Sequence, residues 1–320
     1  MKLLFTFSII LFVLIFSQIN SAQDNSTNVP GYYSIDESLS DSLLSIIKSV
    51  GLDSSYNVGE DGIKGISFAV IDLNSNPAKI GGVNYNEFIY PASVYKMYVA
   101  ASILKQISEG KFSLYDNFIV KSPNVVDMSK QLENDPRPLL KDGDTVTINY
   151  LLDLMITRSD NSAANCLIDK ATRPEINKMI DGFGWKGSEV TRKFLSRKYE
   201  DPGYDTVRGT ETCALHAADF MYKIYKNELV NPWVSMEMKS LLGRQLDVSK
   251  LSAGLPHNVM YYHKTGWWSF YTNDVGIVDD GTVKYVISLF TPLTESAVSA
   301  QMKIISARVY ELMKNRLKSE

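Results

Sequence analysis

Three short polar motifs contain the residues in this sequence that could perform acyl transfer on a serine hydroxyl. They occupy residues 93–96 (Ser-Val-Tyr-Lys), 159–161 (Ser-Asp-Asn) and 264–266 (Lys-Thr-Gly), in that order. A serine becomes a strong nucleophile when a neighbouring base takes its proton, and a buried lysine amine can be that base. The Ser-x-x-Lys pattern alone is weak evidence, because it also occurs at residues 45–48 and 102–105.

The setting of Ser93 distinguishes it from the other two copies. Residues 88–90 are typical of the end of a strand, residues 91–92 of a turn, and residues 94–107 of an apolar helix. Ser93 is therefore predicted at a helix N-terminus, where unpaired N–H groups and the helix dipole favour negative charge. Lys96 follows one turn later on the same face and could take the serine proton. The alternative for this motif alone is an ordinary N-cap serine.

The second motif interrupts two apolar runs of helical spacing, at residues 150–157 and 162–168. In such a polar break Ser159 could relay a proton to a leaving group, and the Asn161 amide could bind a substrate amide. Taken alone, the motif is equally well explained as a turn between two helices, with Ser or Asp as the next N-cap.

The third motif lies in a segment rich in aromatic and β-branched residues, 258–269, which predicts a strand. Lys264 and Thr265 would project from the strand edge into a cleft, and Gly266 would let a substrate backbone approach closely. The alternative is a strand lysine on a solvated face.

With these motifs in this order, the chain resembles the class A serine β-lactamases and the penicillin-binding proteins, which carry S-x-x-K, S-D-N and K-T-G. The resemblance covers about residues 35–318. It extends beyond the motifs to residues 141–147, 161–165 and 254–256. It implies a serine hydrolase that opens β-lactam amides through a covalent acyl-enzyme.

The resemblance also implies roles for the catalytic residues. Ser93 would be the nucleophile and Lys96 a base for acylation, while Ser159 would carry the proton toward the leaving nitrogen. The backbone N–H groups of Ser93 and Trp267 would form an oxyanion hole, in which one donor is typically worth about 3 kcal/mol of barrier.

Substrate binding is implied at the remaining motif positions. Asn161 would bind the side-chain amide of the substrate, while Lys264 and Thr265, with Gly266 beside them, would attract its carboxylate. Trp267 and Trp268 would either contact the substrate or pack in the core.

The sequence departs from the resemblance at the base that would hydrolyse the acyl-enzyme. Class A enzymes place a glutamate in an E-x-x-L-N pattern between the second and third motifs, and residues 196–205 lack that pattern. The Arg-Asp pair that closes the loop is not evident either, because Arg208 is followed by Gly209. Glu200 is the nearest candidate by spacing. The alternative, which we prefer, is that Glu200 belongs to a charged surface loop.

The pattern of elements predicts an α+β fold: an antiparallel five-stranded sheet flanked by helices, with an inserted all-helical lobe. The α/β lobe would comprise residues 35–90 and 250–318, and the helical lobe residues 91–249. Strands are predicted at residues 65–72, 87–90, 259–268, 273–279 and 283–290. Helices are predicted at residues 36–50, 93–109, 147–155, 162–170, 174–183, 213–226, 231–242 and 295–317. The dipeptide Asp280-Gly281 indicates a hairpin between the last two strands.

The N-terminus indicates export. A short positive start and an apolar run through Phe16 are typical of a signal peptide at residues 1–22, followed by a flexible lead-in at residues 23–34. An uncleaved anchor is the alternative, because Asn20 is not small. We therefore expect a secreted or periplasmic monomer that is not stably inserted in a membrane. A net charge of −3 leaves no basic field for nucleic acid.

Neither a cofactor nor a metal is expected. The chain has three histidines spread singly, which disfavours a zinc site, and His216 and His263 are predicted to be structural. Of the two cysteines, Cys166 and Cys213, we favour buried thiols over a disulfide.

Three functions remain open. The leading prediction is a β-lactamase. The first alternative is a penicillin-binding-type D-alanyl-D-alanine carboxypeptidase or transpeptidase that acts on wall peptides. The second is a sensor module that is acylated once. The atypical region around Glu200 keeps both alternatives open, because a misplaced carboxylate would leave the acyl-enzyme long-lived.

Overall fold

The structure is a computed structural model that describes residues 29–127, 135–196, 199–200 and 208–319. The predicted signal peptide lies outside these residues, as does part of the predicted lead-in. Among the helices that are described, none combines the length and the apolar character needed to cross a membrane.

The main sheet has six strands in the order β1-β5-β4-β10-β9-β8. Its first strand runs parallel to β5, and the other neighbours are antiparallel. Two further pairs, β2 with β3 and β6 with β7, stand apart from it. The strands described are β1 Ser34–Ile35, β2 Tyr56–Asn57, β3 Ile63–Lys64, β4 Ser67–Asp72, β5 Lys79–Val83, β6 Asn117–Ile119, β7 Thr145–Thr147, β8 Met260–Trp268, β9 Tyr271–Asp279 and β10 Lys284–Thr291.

The prediction of a five-stranded antiparallel sheet is therefore wrong in two respects: the sheet has six strands, and it is mixed. Strand β1 is only two residues long and carries no apolar alternation, so its sequence gives no strand signal. Backbone pairing holds it, because the Ser34 N–H donates to the Ala78 carbonyl at 3.0 Å and the Asp36 N–H donates to the Ile80 carbonyl at 2.8 Å.

Strand β5 was not predicted because Gly81 and Gly82 look like chain breakers. Both glycines instead permit close packing. A Cβ on Gly81 would lie 2.8 Å from a Leu39 side-chain carbon, and one on Gly82 would lie 2.1 Å from the Phe68 carbonyl oxygen. The predicted strand at residues 87–90 is also wrong, since Ile89 there forms only an isolated bridge with Thr212.

The predicted helices are confirmed, and their ends agree with the structure to within three residues. Those described are α1 Glu37–Ser49, α2 Lys96–Ser108, α3 Ile148–Thr157, α4 Asn161–Ala171, α5 Arg173–Gly182, α6 Ala214–Tyr225, α7 Pro232–Leu242 and α8 Glu295–Ser319. The lobe predicted as all-helical also contains the β6–β7 pair. A 3₁₀ turn at Ala92–Tyr95 precedes α2, so Ser93 lies in that turn and not in the helix proper.

The sheet separates two hydrophobic cores. On one face, alternate strand residues such as Phe68, Val70 and Ile287 pack with apolar residues of α1 and α8. On the other face, Ala69 and Ile71 join the larger core of the helical lobe. Burial of every second strand residue on opposite faces is the expected result of the two-residue period of a strand.

Helix α2 lies at the centre of the helical lobe and packs against α3, α4, α5 and α7. Its residues from Lys96 to Leu104 are all buried, which explains the nearly continuous apolar sequence after Ser93. The nucleophile candidate therefore lies in the turn immediately before a helix that is buried along most of its length.

A buried polar network connects the segment before Ser93 to α6. The Ser188 hydroxyl bonds His216 Nδ1 at 2.8 Å and Thr212 Oγ1 at 2.7 Å, and Thr212 Oγ1 also bonds the Tyr98 hydroxyl at 3.0 Å. Thr212 is the residue that pairs with Ile89. Burial lowers the pKa of His216 from 6.5 to about 4.

The low pKa of His216 predicts that the protein loses stability in mild acid. Because the folded state holds the ring neutral while the unfolded chain takes up a proton below pH 6.5, this contribution is complete above pH 6.5 and is lost as the pH falls toward 4. The loss at pH 4 should approach about 3 kcal/mol in the free energy of unfolding.

Urea unfolding at several pH values would measure this loss. His216→Gln should flatten the pH dependence between pH 6.5 and 4 relative to the wild type. His257→Gln, at an exposed histidine, is the matched control and should keep the wild-type curve. Parallel curves for His216→Gln and the wild type would contradict the assignment.

Candidate active site

Ser93 stands at a strained turn. Ala92, immediately before it, has a φ of +48°, a left-handed conformation that residues with a Cβ adopt at a cost. The Val94 N–H closes the turn by donating to the Pro91 carbonyl at 3.1 Å. Ser93 is half-buried, whereas Ala92, Val94 and the residues after them are buried. The turn thus presents one side chain of the segment to a cleft.

Gly266 brings the third motif against this turn. A Cβ at this position would lie 2.6 Å from the Pro91 carbonyl oxygen, 2.7 Å from the Ser93 nitrogen and 2.8 Å from the Val94 nitrogen. Gly266 therefore permits a close approach to the protein's own backbone at residues 91–94. As a result, the Ser93 nitrogen lies directly against the strand that carries Gly266 and Trp267.

Lys96 links the first motif to the second. Its side chain is fully buried, and Nζ donates to the Ser159 carbonyl at 2.6 Å, to Ser159 Oγ at 3.2 Å and to Asn161 Oδ1 at 2.6 Å. The Phe194 ring centroid lies 4.2 Å from Nζ, within cation–π range. Lys96 therefore has both the burial and the hydroxyl contact that a proton carrier between Ser93 and Ser159 requires.

Ser159 is held in an unfavourable backbone conformation, with a φ of +59°. Its two neighbours fix it. Asp160 caps α4 by accepting from the Ala163 N–H at 2.7 Å, and Arg158 Nη2 donates to Asp160 Oδ2 at 2.9 Å. Arg158 and Asp160 are both buried, so this ion pair is a rigid support. The N-cap interpretation is correct for Asp160, while Ser159 remains directed to Lys96.

Lys264 and Thr265 are almost completely buried, at 0% and 2% exposure, so the alternative of a solvated strand lysine is wrong. Lys264 Nζ donates to the Thr265 carbonyl at 2.8 Å. Thr265 lines the cleft. The positive charge thus lies behind the cleft wall, where burial strengthens its attraction for an anion.

The cleft itself has a volume of about 670 Å³, within the range of pockets that hold drug-sized molecules. Ser93, Ser159, Asn161, Thr265 and Gly266 line it together, so the three motifs meet at one site.

The rim of the cleft is apolar. Trp267 and Trp268 line it and are 48% and 65% exposed, so the core-packing alternative for these two residues is wrong. Leu246 and Val248 line it as well and are also exposed.

A buried lysine near the rim was missed by the sequence reasoning. Lys250 is fully buried and donates to Asp247 Oδ2 and Glu295 Oε1, both at 2.6 Å. Burial alone would raise the pKa of Asp247, but the Lys250 ammonium and local hydrogen bonds hold it well below its usual range. Asp247 and Glu295 line the cleft, so Lys250 joins two parts of its wall. Its only sequence signal is its position shortly before Gly254.

Glu200 does not line the cleft. Its carboxylate is buried, with 5% of the side chain exposed, so it is not the solvated surface group that we preferred. Both oxygens accept from the Lys193 N–H, at 2.9 and 2.8 Å, and Arg173 Nη1 donates to Oε1 at 3.2 Å. These bonds hold the segment that carries Phe194. The rest of the predicted loop, residues 197–198 and 201–205, lies outside the described residues.

Asp127 was also missed. Its carboxylate accepts hydrogen bonds from both the backbone N–H and the side-chain amide of Asn161. The sequence around Asp127 does not identify it as a site residue. Its contact with Asn161 depends on how residues 124–127 pack on α4.

Both cysteines are free and buried, as we favoured, and burial raises the pKa of each thiol to about 12. His263 is buried and pairs with Asp274 through Nδ1 at 3.0 Å. Across the described ranges, no group of three histidine, cysteine or acidic side chains is arranged to hold a metal ion.

The geometry invites comparison with known proteins. The model of a family described as the beta-lactamase enzyme family matches residues 56–313. Extended-spectrum beta-lactamase PER-1 of Pseudomonas aeruginosa is 25% identical over 202 residues, 58% of this chain, and the chain spans 61% of the length of that relative. Beta-lactamase BRO-1 of Moraxella catarrhalis is 25% identical over 225 residues, 68% of each protein.

Solved structures show the same fold. PBP-A aligns with a TM-score of 0.72 at 20% identity, covering 90% of this chain and 99% of that one. An ancestral class A β-lactamase aligns with a TM-score of 0.68 at 21% identity, covering 86% and 99%. Because the family model spans most of the chain, the protein belongs to the beta-lactamase enzyme family, among the class A serine β-lactamases and penicillin-binding-protein-like enzymes.

The contact at Gly266 predicts a sharp effect of one added methyl group. In Gly266→Ala the Cβ would clash with the backbone of residues 91–94, which no side-chain rotation can relieve. We expect a loss of about 1 to 3 kcal/mol in the free energy of unfolding and of about 100-fold in acylation by a β-lactam, because the serine turn is displaced. Thermal unfolding and penicillin labelling would measure both effects.

The matched control is Gly209→Ala, where a Cβ would meet no atom within 4 Å and the φ is not left-handed. It should behave like the wild type. Wild-type acylation by Gly266→Ala would contradict the inference that this contact positions Ser93.

Proposed function

We propose that this protein opens β-lactam rings through a covalent acyl-enzyme on Ser93. The single observation that carries the proposal is the placement of the fully buried Lys96 amine, which bonds both Ser159 Oγ and Asn161 Oδ1 one turn after a half-buried serine in the cleft. Family membership and the relatives named above as β-lactamases support the substrate class.

In the proposed reaction, the Lys96 amine gives up one proton before it acts, and it then takes the serine proton as Ser93 Oγ attacks the lactam carbonyl carbon. The N–H groups of Ser93 and Trp267 stabilise the oxyanion that forms. When the carbon–nitrogen bond breaks, the proton passes through the Ser159 hydroxyl to the leaving nitrogen. Water then cleaves the ester, which releases the ring-opened acid and restores the Ser93 hydroxyl.

Substrate contacts follow from the same geometry. Lys264 and Thr265 would attract the carboxylate of the substrate, because they place a buried positive charge behind a polar wall. Asn161 would bind the side-chain amide, and Trp267 and Trp268 would cover apolar substituents at the rim. A related solved structure is a variant of PBP-A described as an acyl-enzyme complex with penicillin G.

The first test replaces the nucleophile. Wild-type protein mixed with excess benzylpenicillin should gain the mass of one penicillin, as a transient or lasting adduct, and Ser93→Ala should gain none. Ser45→Ala is the matched control, because Ser45 begins another Ser-x-x-Lys sequence but is exposed and bonds only its own helix at the Asp41 carbonyl. Intact-protein mass spectrometry with absorbance of the lactam bond would follow both adduct and ring opening. Labelling of Ser93→Ala would overturn the assignment.

A second candidate function is a penicillin-binding-type enzyme that acts on D-alanyl wall peptides and is inhibited by β-lactams. The specific observation in its favour is the position of Glu200, whose carboxylate is bound to the Lys193 backbone and Arg173, away from the cleft. Next to Lys96 lies the Phe194 ring, an aromatic group that cannot activate water. Under this candidate the penicillin adduct would persist.

Glu200 therefore has a role that a variant can separate from catalysis. Glu200→Gln should lower the free energy of unfolding by about 1 to 2 kcal/mol, because it loses charge-assisted hydrogen bonds to a buried segment. The decay rate of the penicillin adduct, followed by mass spectrometry after removal of free penicillin, should stay within about threefold of the wild type. A deacylation base should instead cost about 100-fold or more in that decay, and such a result would make Glu200 catalytic.

Export of the protein to the periplasm or the exterior, after cleavage near residue 22, remains part of the proposal. β-Lactams and wall peptides are both met outside the cytoplasmic membrane, which agrees with the signal-peptide pattern of the N-terminus. The N-terminal sequence of the mature protein recovered from cells would test this step.

A further inference from the structure

Asn161 can serve catalysis in only one orientation of its side-chain amide. The carbonyl Oδ1 accepts a hydrogen bond from Lys96 Nζ at 2.6 Å. The reversed amide would direct an N–H donor at that amine and break the link between the first two motifs. Lys96 itself favours this orientation by donating to Oδ1, and a second group that accepts from Nδ2 would reinforce it.

Asp127 holds the other end. Its Oδ1 accepts from Asn161 Nδ2 at 2.9 Å, and its Oδ2 accepts from the backbone N–H of the same residue. The Asp127 carboxylate therefore accepts hydrogen bonds from two donors of Asn161, the backbone N–H and the side-chain amide. An ionised carboxylate cannot donate a hydrogen bond, so the reversed amide would set two oxygens against each other. This contact selects the amide orientation that Lys96 requires.

The backbone that carries Asp127 is itself anchored to α4. The Ser162 hydroxyl accepts from the N–H groups of Val126 and Asp127, at 2.9 and 3.2 Å. Two residues earlier, Asn124 Nδ2 donates to Asp169 Oδ2 at 2.8 Å. Asp127 is therefore placed by a fixed segment, unlike a surface acid on a free loop.

We propose that Asp127 is a positioning residue for acylation, which acts by locking the amide of Asn161 toward Lys96. The inference rests on the proposed function of Ser93. Asp127 need not touch substrate. A second effect follows from the same contact: one of the two Nδ2 hydrogens of Asn161 is occupied, so a single hydrogen remains for the side-chain amide of the substrate.

The test is a double-mutant cycle on acylation by benzylpenicillin, with the limiting acylation rate and the apparent dissociation constant measured separately. Asp127→Asn is nearly isosteric but offers only one acceptor oxygen. We expect it to lower the limiting acylation rate about tenfold, the usual worth of one charge-assisted hydrogen bond, with less than a threefold change in the apparent dissociation constant. In the Asn161→Ala background the same substitution should change the rate by less than twofold.

Asp142→Asn is the matched control. It removes the same charge from a loop acid that accepts from the Ser122 N–H and does not contact Asn161. It should acylate at the wild-type rate. If Asp127→Asn acts by disturbing the structure, it should lower the acylation rate in both the wild-type and the Asn161→Ala backgrounds. If it acts by positioning Asn161, it should lower the rate only where Asn161 is present.

If Asp127→Asn does not fold, the cycle is run with Asp127→Glu. This variant keeps the negative charge beside the first turn of α4, but its longer side chain cannot place both oxygens, so its rate should fall at least threefold. A wild-type rate in whichever variant folds, or an equal loss in the Asn161→Ala background, overturns the role of Asp127 alone. Wild-type protein that penicillin does not label overturns the proposed function, and this inference with it.

Discussion

The backbone contact between Gly266 and the turn that carries Ser93 is the constraint on which the site depends. It joins the edge strand of the sheet to the turn immediately before α2, and only a residue without a side chain can occupy that place. The contact brings Ser93, the candidate nucleophile, against the strand that also carries the buried Lys264. Neither half of the protein contains a complete site.

Buried polar groups of the helical lobe also meet beside Ser93, around the Lys96 amine. Lys96 is withdrawn from water and is tolerated because three oxygen acceptors surround its amine. The break between α3 and α4 supplies them at the cost of a left-handed backbone at Ser159. Strain and desolvation therefore occur at the residues that would perform the chemistry. The hydrophobic cores on both faces of the sheet supply the compensating stability.

The motif residues and the helices could be predicted from the sequence because they depend on local patterns: apolar periodicity, capping residues and polar breaks. The strands β8 to β10 were predictable for the same reason. Strand β5 was not, because Gly81 and Gly82 are explained only by the side chains and backbone packed against them. The roles of Lys250 and Asp127 were not predicted for a related reason. Each contacts a residue far away in sequence, Glu295 for Lys250 and Asn161 for Asp127. The mixed sheet could not be predicted because β1 is only two residues long, Ser34 and Ile35, and is held by backbone pairing with β5.

The sheet order also bears on how the protein becomes active. Strand β8, which carries the third motif, pairs with β9, and β9 pairs with β10. Strand β10 in turn pairs with β4, with Ser288 opposite Ala69. The pairing of β10 with β4 joins segments that are far apart in sequence, and such pairings slow folding, since a long loop must close before the contacts that stabilise it can form. A growing polypeptide that has just passed Gly266 would possess every motif residue and still be inert, because the strands that press β8 against the serine turn have not been made. The three motifs can therefore meet at one site only after β9 and β10 have been synthesised.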